Sequence, residues 1–321
     1  MSEVLTPKKP LKPIFSWIIS LWKFSRPHTI IGTSLSVLGL YLIALSDIIP
    51  IWEAGEGVSL YPTSLVLSWI ACLCGNVYIV GLNQLEDIEI DQINKPHLPL
   101  AAGEYSRTQA QIIIAIAGIL ALTLAAFQSS FLFATVAISL ALGTAYSLPP
   151  IRLKRFPFWA AFCIFTVRGV IVNLGIFLHF QSRFSSPTLA VITPAVWALT
   201  LFVLVFTFAI AIFKDIPDIE GDRQYNISTL TIRLGTRAVF NLARWVLTFC
   251  YLGMAASSLI LKPDVNPIIL SVTHLIAFSL MLWRSTTVNL KSKAEIAQYY
   301  QFIWKLFFLE YLMFPIACLL G

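Results

Sequence analysis

Nine apolar runs, each about the length needed to cross a lipid bilayer, dominate this 321-residue chain. They fall at about 27–47, 64–91, 108–127, 130–147, 157–180, 193–217, 238–261, 266–286 and 296–320. A spanning helix needs about 20 residues, because the backbone must satisfy its own hydrogen bonds within the hydrocarbon. With 58% hydrophobic and 12% charged residues, the chain has too little polar surface for a soluble domain of this length. The runs also lack the apolar–polar alternation of membrane β-barrel strands. The expected fold class is an all-α polytopic membrane protein, a bundle of about nine transmembrane helices around a central cavity.

Basic residues set the orientation. Lys8, Lys9, Lys12, Lys23, Arg26, Lys95, Arg107, Arg152, Lys154, Arg155, Lys214, Arg223, Arg233, Arg237, Arg244, Arg284, Lys291 and Lys293 all fall on one side. The other side carries only Arg183 and Lys262. The N-terminus and the connections after even-numbered spans are therefore expected in the cytoplasm, and the cavity is expected to open there. The net charge of +6 reflects this orientation and is no nucleic-acid signature. Residues 1–22 read as a flexible cytosolic lead, punctuated by Pro7, Pro10 and Pro13 and lacking a signal-peptide core. Within it, Ile14–Trp22 reads as a short interfacial helix, and 23–321 as a single membrane domain. The five cysteines read as small buried hydrophobes. Nothing in the chain points to a protein partner.

Against this apolar background, two short stretches hold eight of the sixteen acidic residues. The first is Asn83-Gln-Leu-Glu-Asp87-Ile-Glu-Ile-Asp91, and the second Asp215-Ile-Pro-Asp218-Ile-Glu-Gly-Asp222. On one continuous helix, Asn83, Asp87 and Asp91 would share an arc of ~80°. Asp215, Asp218 and Asp222 would share a similar arc, with Pro217 kinking or ending the helix. Oxygen donors without flanking His or Cys suit a hard cation, with Mg²⁺ the first candidate. Either stretch alone reads equally well as a solvated acidic flank. Two on the same face, each followed by a basic loop, read as a metal–diphosphate site, with Arg26, Lys95, Arg152, Lys154, Lys214 and Arg223 as phosphate ligands. Asp87 and Asp91 map onto Asp218 and Asp222 at one offset, which suggests two pseudo-repeated halves. A cation transporter is the rival class, but it would place its carboxylates near the bilayer midplane.

These residues resemble the paired aspartate motifs of the UbiA-type intramembrane prenyltransferases. The stretches NQLEDIEIDQINKPHLPLAAGEYS (83–106), YSLPPIRLKR (146–155), KDIPDIEGDRQYNISTLTIRLG (214–235), YQFIWKLFFLEY (300–311) and RPHTIIGTSLSV (26–37) look like the homogentisate prenyltransferases of that family. Chlorophyll synthases and 4-hydroxybenzoate prenyltransferases share the aspartates but fit the run at 94–99 and the C-terminal block poorly. The resemblance covers the chain from about Lys23 onward. It implies Mg²⁺-dependent transfer of a prenyl group from its diphosphate to homogentisate with decarboxylation. A phytyl donor would give a tocopherol precursor, and a solanesyl donor a plastoquinone precursor. Asp87, Asp91, Asp218 and Asp222 would be the catalytic acids. With Asn83 and Asp215 they would hold the metal. Either Arg152 or Lys154 would fill the family's basic position. A thylakoid or plasma membrane of a photosynthetic organism is implied.

Ionisable groups inside the spans need an interior role. On the implied reaction, Arg168 either holds the carboxylate of homogentisate or pairs with an acid such as Glu310. Asn173 is a candidate to orient a substrate hydroxyl, and His28 to take the phenol proton. Phe24, Tyr78, Phe206, Phe213 and Tyr299 are candidate cavity-lining rings that would stabilise an allylic cation. His179 and His274 show no spacing that suggests a metal site.

Overall fold

The structure, a computed structural model, describes residues 14–48, 61–184, 190–224, 229–262 and 264–321. The polar lead up to Lys12 lies outside these residues. The first helix, α1 (Ile14–Phe24), exposes Phe15, Trp17, Ile18 and Trp22 while burying Ser20 and Phe24. This is the amphipathic pattern of a helix lying in the interface. The chain turns at Arg26, and Pro27 opens α2 (Pro27–Ser46). There follow α3 (Pro62–Glu86), the short α4 (Ile88–Asn94), α5 (Arg107–Gln128) and α6 (Ser130–Ser147). Next, α7 (Pro157–Phe165) runs through one wide π-helical turn, Thr166–Ile171, into α8 (Val172–Phe184). The remaining helices are α9 (Pro194–Lys214), α10 (Ile219–Gln224), α11 (Leu230–Leu234), α12 (Thr236–Ser257), α13 (Pro267–Thr286) and α14 (Lys293–Leu319).

The helix starts follow from local chemistry. Proline occupies the first turn of α2, α3, α7, α9 and α13, where its missing N–H leaves no bond unmade. Ser106 and Gln109 form a reciprocal cap on α5, and the Ser129, Asn266 and Ser292 side chains cap α6, α13 and α14. Among the described residues nine helices are long and apolar enough to cross a membrane, counting α7 to α8 as one, and none is a strand. This is the expected integral, multi-pass all-α fold.

The spans close into a ring. α2 packs on α3, α8 and α14, α3 on α6, α9 on α14 and the wide turn, while α5, α12 and α13 form an outer layer. The closing contact between α2 and α14 uses small residues. A Cβ on Gly39 would lie 2.9 Å from the Tyr311 carbonyl, and one on Gly32 would touch Phe308. Pro315 lacks the N–H that would otherwise bind that carbonyl, so the helix backbones approach closely there.

Two expectations need correcting. Glu310 does not pair with Arg168. It is fully buried on α14, and its Oε2 meets His274 Nε2 of α13 at 3.0 Å. The rings expected around the cavity also lie elsewhere. Phe206, Phe213 and Tyr299 pack with Phe202, Phe240 and Tyr251 in the core between α9, α12 and α14. Phe24 packs edge-on against Tyr105, and Tyr78 bonds its hydroxyl to Thr144.

Candidate active site

Both acidic stretches sit where a long helix stops and a short one begins. The first does not form the continuous helix that the sequence suggests. α3 ends at Glu86, Asp87 leaves helical geometry at φ −115°, and Asp91 belongs to α4. Tertiary contacts hold the break. Arg152 Nη2 donates to the Glu86 carbonyl at 3.3 Å and lies 3.3 Å from Asp87 Oδ1, while Lys154 Nζ lies 2.7 Å from that same oxygen. Asn83 donates to Asp87 Oδ2 at 3.0 Å and accepts from Arg26 Nη2 at 3.2 Å. At the second stretch α9 ends at Lys214, a turn containing Pro217 follows, and α10 carries Asp222.

The two stretches face each other. Lys95 Nζ, at the end of α4, lies 2.7 Å from Asp218 Oδ2 and 4.0 Å from Asp91 Oδ1. Beside it the Gly221 N–H donates to Asn94 Oδ1 at 3.1 Å. A Cβ on Gly221 would overlap the Asn94 amide, so this close approach requires glycine.

Burial and crowding set the charges of this rim. Burial pushes Asp215 and Asp222 each up to about 6, with Asp218 adding and Lys214 and Lys95 opposing. Burial also raises Asp91, against the pull of Arg26 and Lys95. It holds Lys154 below the ordinary lysine range although Asp87 favours its charge. The two arginines that reach the first stretch carry unusual backbone conformations, Arg26 at φ 53° and Arg152 at φ 40°. Non-glycine residues rarely adopt such angles, and they tend to mark functional sites.

A cavity of about 310 Å³ starts at this rim. At one end its wall reaches Arg26, Asn83, Tyr146 and Lys214. The five aspartates lie beyond that end and outside the lining. Further in come His28, Arg168, Tyr300, Trp304 and Phe307, and deeper still Ser36, Thr135, Ser139 and Ile176. The Arg168 guanidinium sits 4.8 Å from the centre of the Trp304 ring and 5.8 Å from that of Phe307, without a carboxylate partner among the described residues. The His28 ring lies 4.8 Å from Trp304. Asn173 is placed differently. It is fully buried, off the cavity wall, donating to the Gly169 carbonyl and accepting from Tyr311. Arg223 is exposed on α10, away from the wall. Sequence reasoning missed Trp304 and Phe307, which lie three residues apart on α14 and share its inner face.

The donor set suits a hard cation and phosphate together. Asp91 Oδ2 is buried without a hydrogen-bond partner, with Arg26 Nη2 3.9 Å away, and the N–H donors at Arg26 Nε and Arg152 Nε are likewise unpaired. An orphaned carboxylate oxygen is what Mg²⁺ takes, and orphaned guanidinium donors are what phosphate oxygens take. Among the described residues no three His, Cys, Asp or Glu side chains converge closely enough to cage an ion.

Comparison with known proteins agrees with this geometry. Residues 30–306 match the model of the UbiA prenyltransferase family. The homogentisate phytyltransferase of Synechocystis sp. is 54% identical over 304 residues, covering 94% of this chain and 96% of that one. Homogentisate phytyltransferase 1, chloroplastic, of Arabidopsis thaliana is 42% identical over 307 residues, covering 92% and 74%. A UbiA homologue from Archaeoglobus fulgidus, solved bound to GPP and Mg²⁺, has the same fold at 17% identity, with a TM-score of 0.62 over 92% of this chain and 99% of that one. With nine spans among its described residues and its facing acidic stretches, this chain belongs to the UbiA prenyltransferase family.

Proposed function

We propose that this protein transfers a phytyl group from its diphosphate to homogentisate, with loss of the acceptor's carboxyl group as CO₂. The observation that carries this reading is the shape of one cavity. Anion-binding cations and carboxylates stand at its end, and a single arginine stacked on aromatic rings stands inside. The diphosphate sits at the rim, where Arg26, Lys95, Arg152, Lys154 and Lys214 meet its oxygens. Asn83, Asp87, Asp91, Asp215, Asp218 and Asp222 are the residues that would hold Mg²⁺. When bound, the metal draws negative charge onto the departing pyrophosphate.

The chain's own residues organise the rest. The inner wall, with Val136, Leu140, Ile164, Val167, Val172 and Ile176, keeps water from the allylic centre and accepts the isoprenoid tail. Arg168 meets the carboxylate of homogentisate, and Trp304 and His28 flank its ring. The C–O bond to pyrophosphate breaks, the ring carbon bonds to the allylic carbon, and the proton on that ring carbon is lost. The bond from the side-chain methylene to the carboxylate breaks to release CO₂, and the methylene takes up a proton to become a methyl group. His28 is placed to take the phenol proton. The matching helix breaks at the two acidic stretches support two repeated halves within one domain. The excess of Lys and Arg on the rim's side supports its opening to the cytoplasm.

A donor and acceptor panel tests the proposal. Phytyl, geranylgeranyl and solanesyl diphosphates are offered against homogentisate, 4-hydroxybenzoate and chlorophyllide, with and without Mg²⁺, and products are weighed by mass spectrometry. Mg²⁺-dependent phytyl transfer to homogentisate with CO₂ release is the expected result. Preference for solanesyl would move the protein to the quinone branch, and no transfer from any donor would overturn the reading.

A further inference from the structure

The wide turn at Thr166–Ile171 is the one place where the fifth span departs from α-helical geometry, and it carries Arg168. A π-helical turn admits an extra residue, which rotates the side chains that follow and leaves backbone carbonyls poorly matched to donors. Here a side chain reaches into the turn. Asn173 Nδ2 donates to the Gly169 carbonyl at 2.8 Å, one residue from Arg168. Asn173 Oδ1 in turn accepts from the Tyr311 hydroxyl at 2.7 Å. Asn173 is fully buried off the cavity wall, and Tyr311, whose ring borders the cavity, is 1% exposed, so the bond between them lies at the edge of the pocket. On the other side a Cβ on Gly169 would lie 3.0 Å from the Leu204 backbone, which pins the turn against α9.

Tyr311 is one turn beyond Phe307 and two beyond Trp304 on the same face of α14. Phe307 and Tyr311 also pack edge-to-face, with ring centres 5.6 Å apart. The helix that supplies the stacking surface for the guanidinium therefore also supplies the hydroxyl that fixes the backbone beside it. We infer that Asn173 and Tyr311 are positioning residues. They lock the wide turn so that Arg168 presents its guanidinium to the carboxylate of the aromatic acid. This rests on the reading above in which Arg168 binds that carboxylate. It reassigns Asn173 from a substrate contact to a support behind one.

The experiment uses Tyr311→Phe, which deletes one hydroxyl and keeps the ring, and Asn173→Leu, which removes the same contact from its other end. Steady-state KM is measured for homogentisate and for phytyl diphosphate. Homogentisate methyl ester, which keeps the ring and lacks the charge, is measured as an inhibitor. Loss of one buried hydrogen bond should raise KM for the acid about fivefold, while KM for the diphosphate and Ki for the ester shift by less than about twofold. Parallel losses for acid and ester would mean a general structural role and overturn the inference. So would an unchanged KM for the acid in Tyr311→Phe when Arg168→Leu raises it. Should Arg168→Leu itself leave that KM unchanged, the assignment of Arg168 fails first, and the inference falls with it. If Asn173→Leu does not fold, Tyr311→Phe alone decides.

Discussion

The ammonium of Lys95 lies 2.7 Å from the carboxylate of Asp218, 123 residues further along the chain. One lysine thereby ties the first acidic stretch to the second, at the rim where the diphosphate is proposed to sit. A charge-assisted bond in this half-buried place is worth about 1.5–3 kcal/mol. Lys95→Met should therefore raise KM for phytyl diphosphate roughly tenfold or more and leave KM for homogentisate within about twofold. Initial rates across a donor titration at saturating acceptor check this.

Asp87→Asn and Asp218→Asn keep shape and hydrogen-bonding capacity but remove the charge that a hard cation needs. Turnover should fall by about 100-fold or more in each. The elution profile in detergent should stay that of the parent. Parent-like rates in both variants at saturating Mg²⁺ would remove the metal assignment.

Gly221→Ala places a methyl group into the Asn94 amide, across the link between the two acidic stretches. The expected cost is about 1–3 kcal/mol, from displacement of either α4 or α10. Activity should drop further than thermal stability does, because the displaced helices carry Asp91 and Asp222. Thermal unfolding and rate assays on the same preparation separate the two effects.

Asp215 and Asp222 stand at about 6 against an ordinary value of 3.8. Raised carboxyls mean that the folded protein binds more protons than the unfolded chain between these values. With EDTA present, stability contributed by the protonated forms is full below about 3.8 and is lost as pH rises through about 6. Mg²⁺ binds the ionised forms, so its stabilising effect should grow over the same window. Melting temperatures with EDTA and with Mg²⁺ across that range should diverge as pH rises. Parallel curves would argue against metal binding at these two residues.

His274 and Glu310 form a fully buried pair in which Glu310 Oε1 has no hydrogen-bond partner. Removing one member strands the other, so His274→Leu alone should destabilise by about 3–5 kcal/mol. The double replacement His274→Leu with Glu310→Met should recover most of that loss. Unfolding of the two variants in the same detergent compares them directly.

The spans and their order were legible because each is a long apolar run, and Pro217 announced the end of α9. The break at Asp87 was not. Residues 83–91 contain no proline or glycine, and the helix stops there because Arg152 and Lys154, more than sixty residues away, take the Glu86 carbonyl and the Asp87 carboxylate. The same limit applies to Glu310. Its charge made Arg168 an obvious partner on paper, but His274, 36 residues upstream, faces it across α13 and α14. The role of Asn173 was hidden for a third reason. A π-helical turn changes which side chains face inward, and the regular spacing read from the sequence does not register it.

The packing of α2 against α14 bears on how the protein is made. Among the described spans these are the first and last along the sequence, and their contact sets Gly32 and Gly39 against Phe308 and the Tyr311 carbonyl. Ser36, Asn76, Thr135 and Ser139 share one cavity wall with Trp304, Phe307 and Tyr311 of α14, so that wall is complete only when α14 is in place. The seam between α2 and α14 can therefore form only after every span between them has been made.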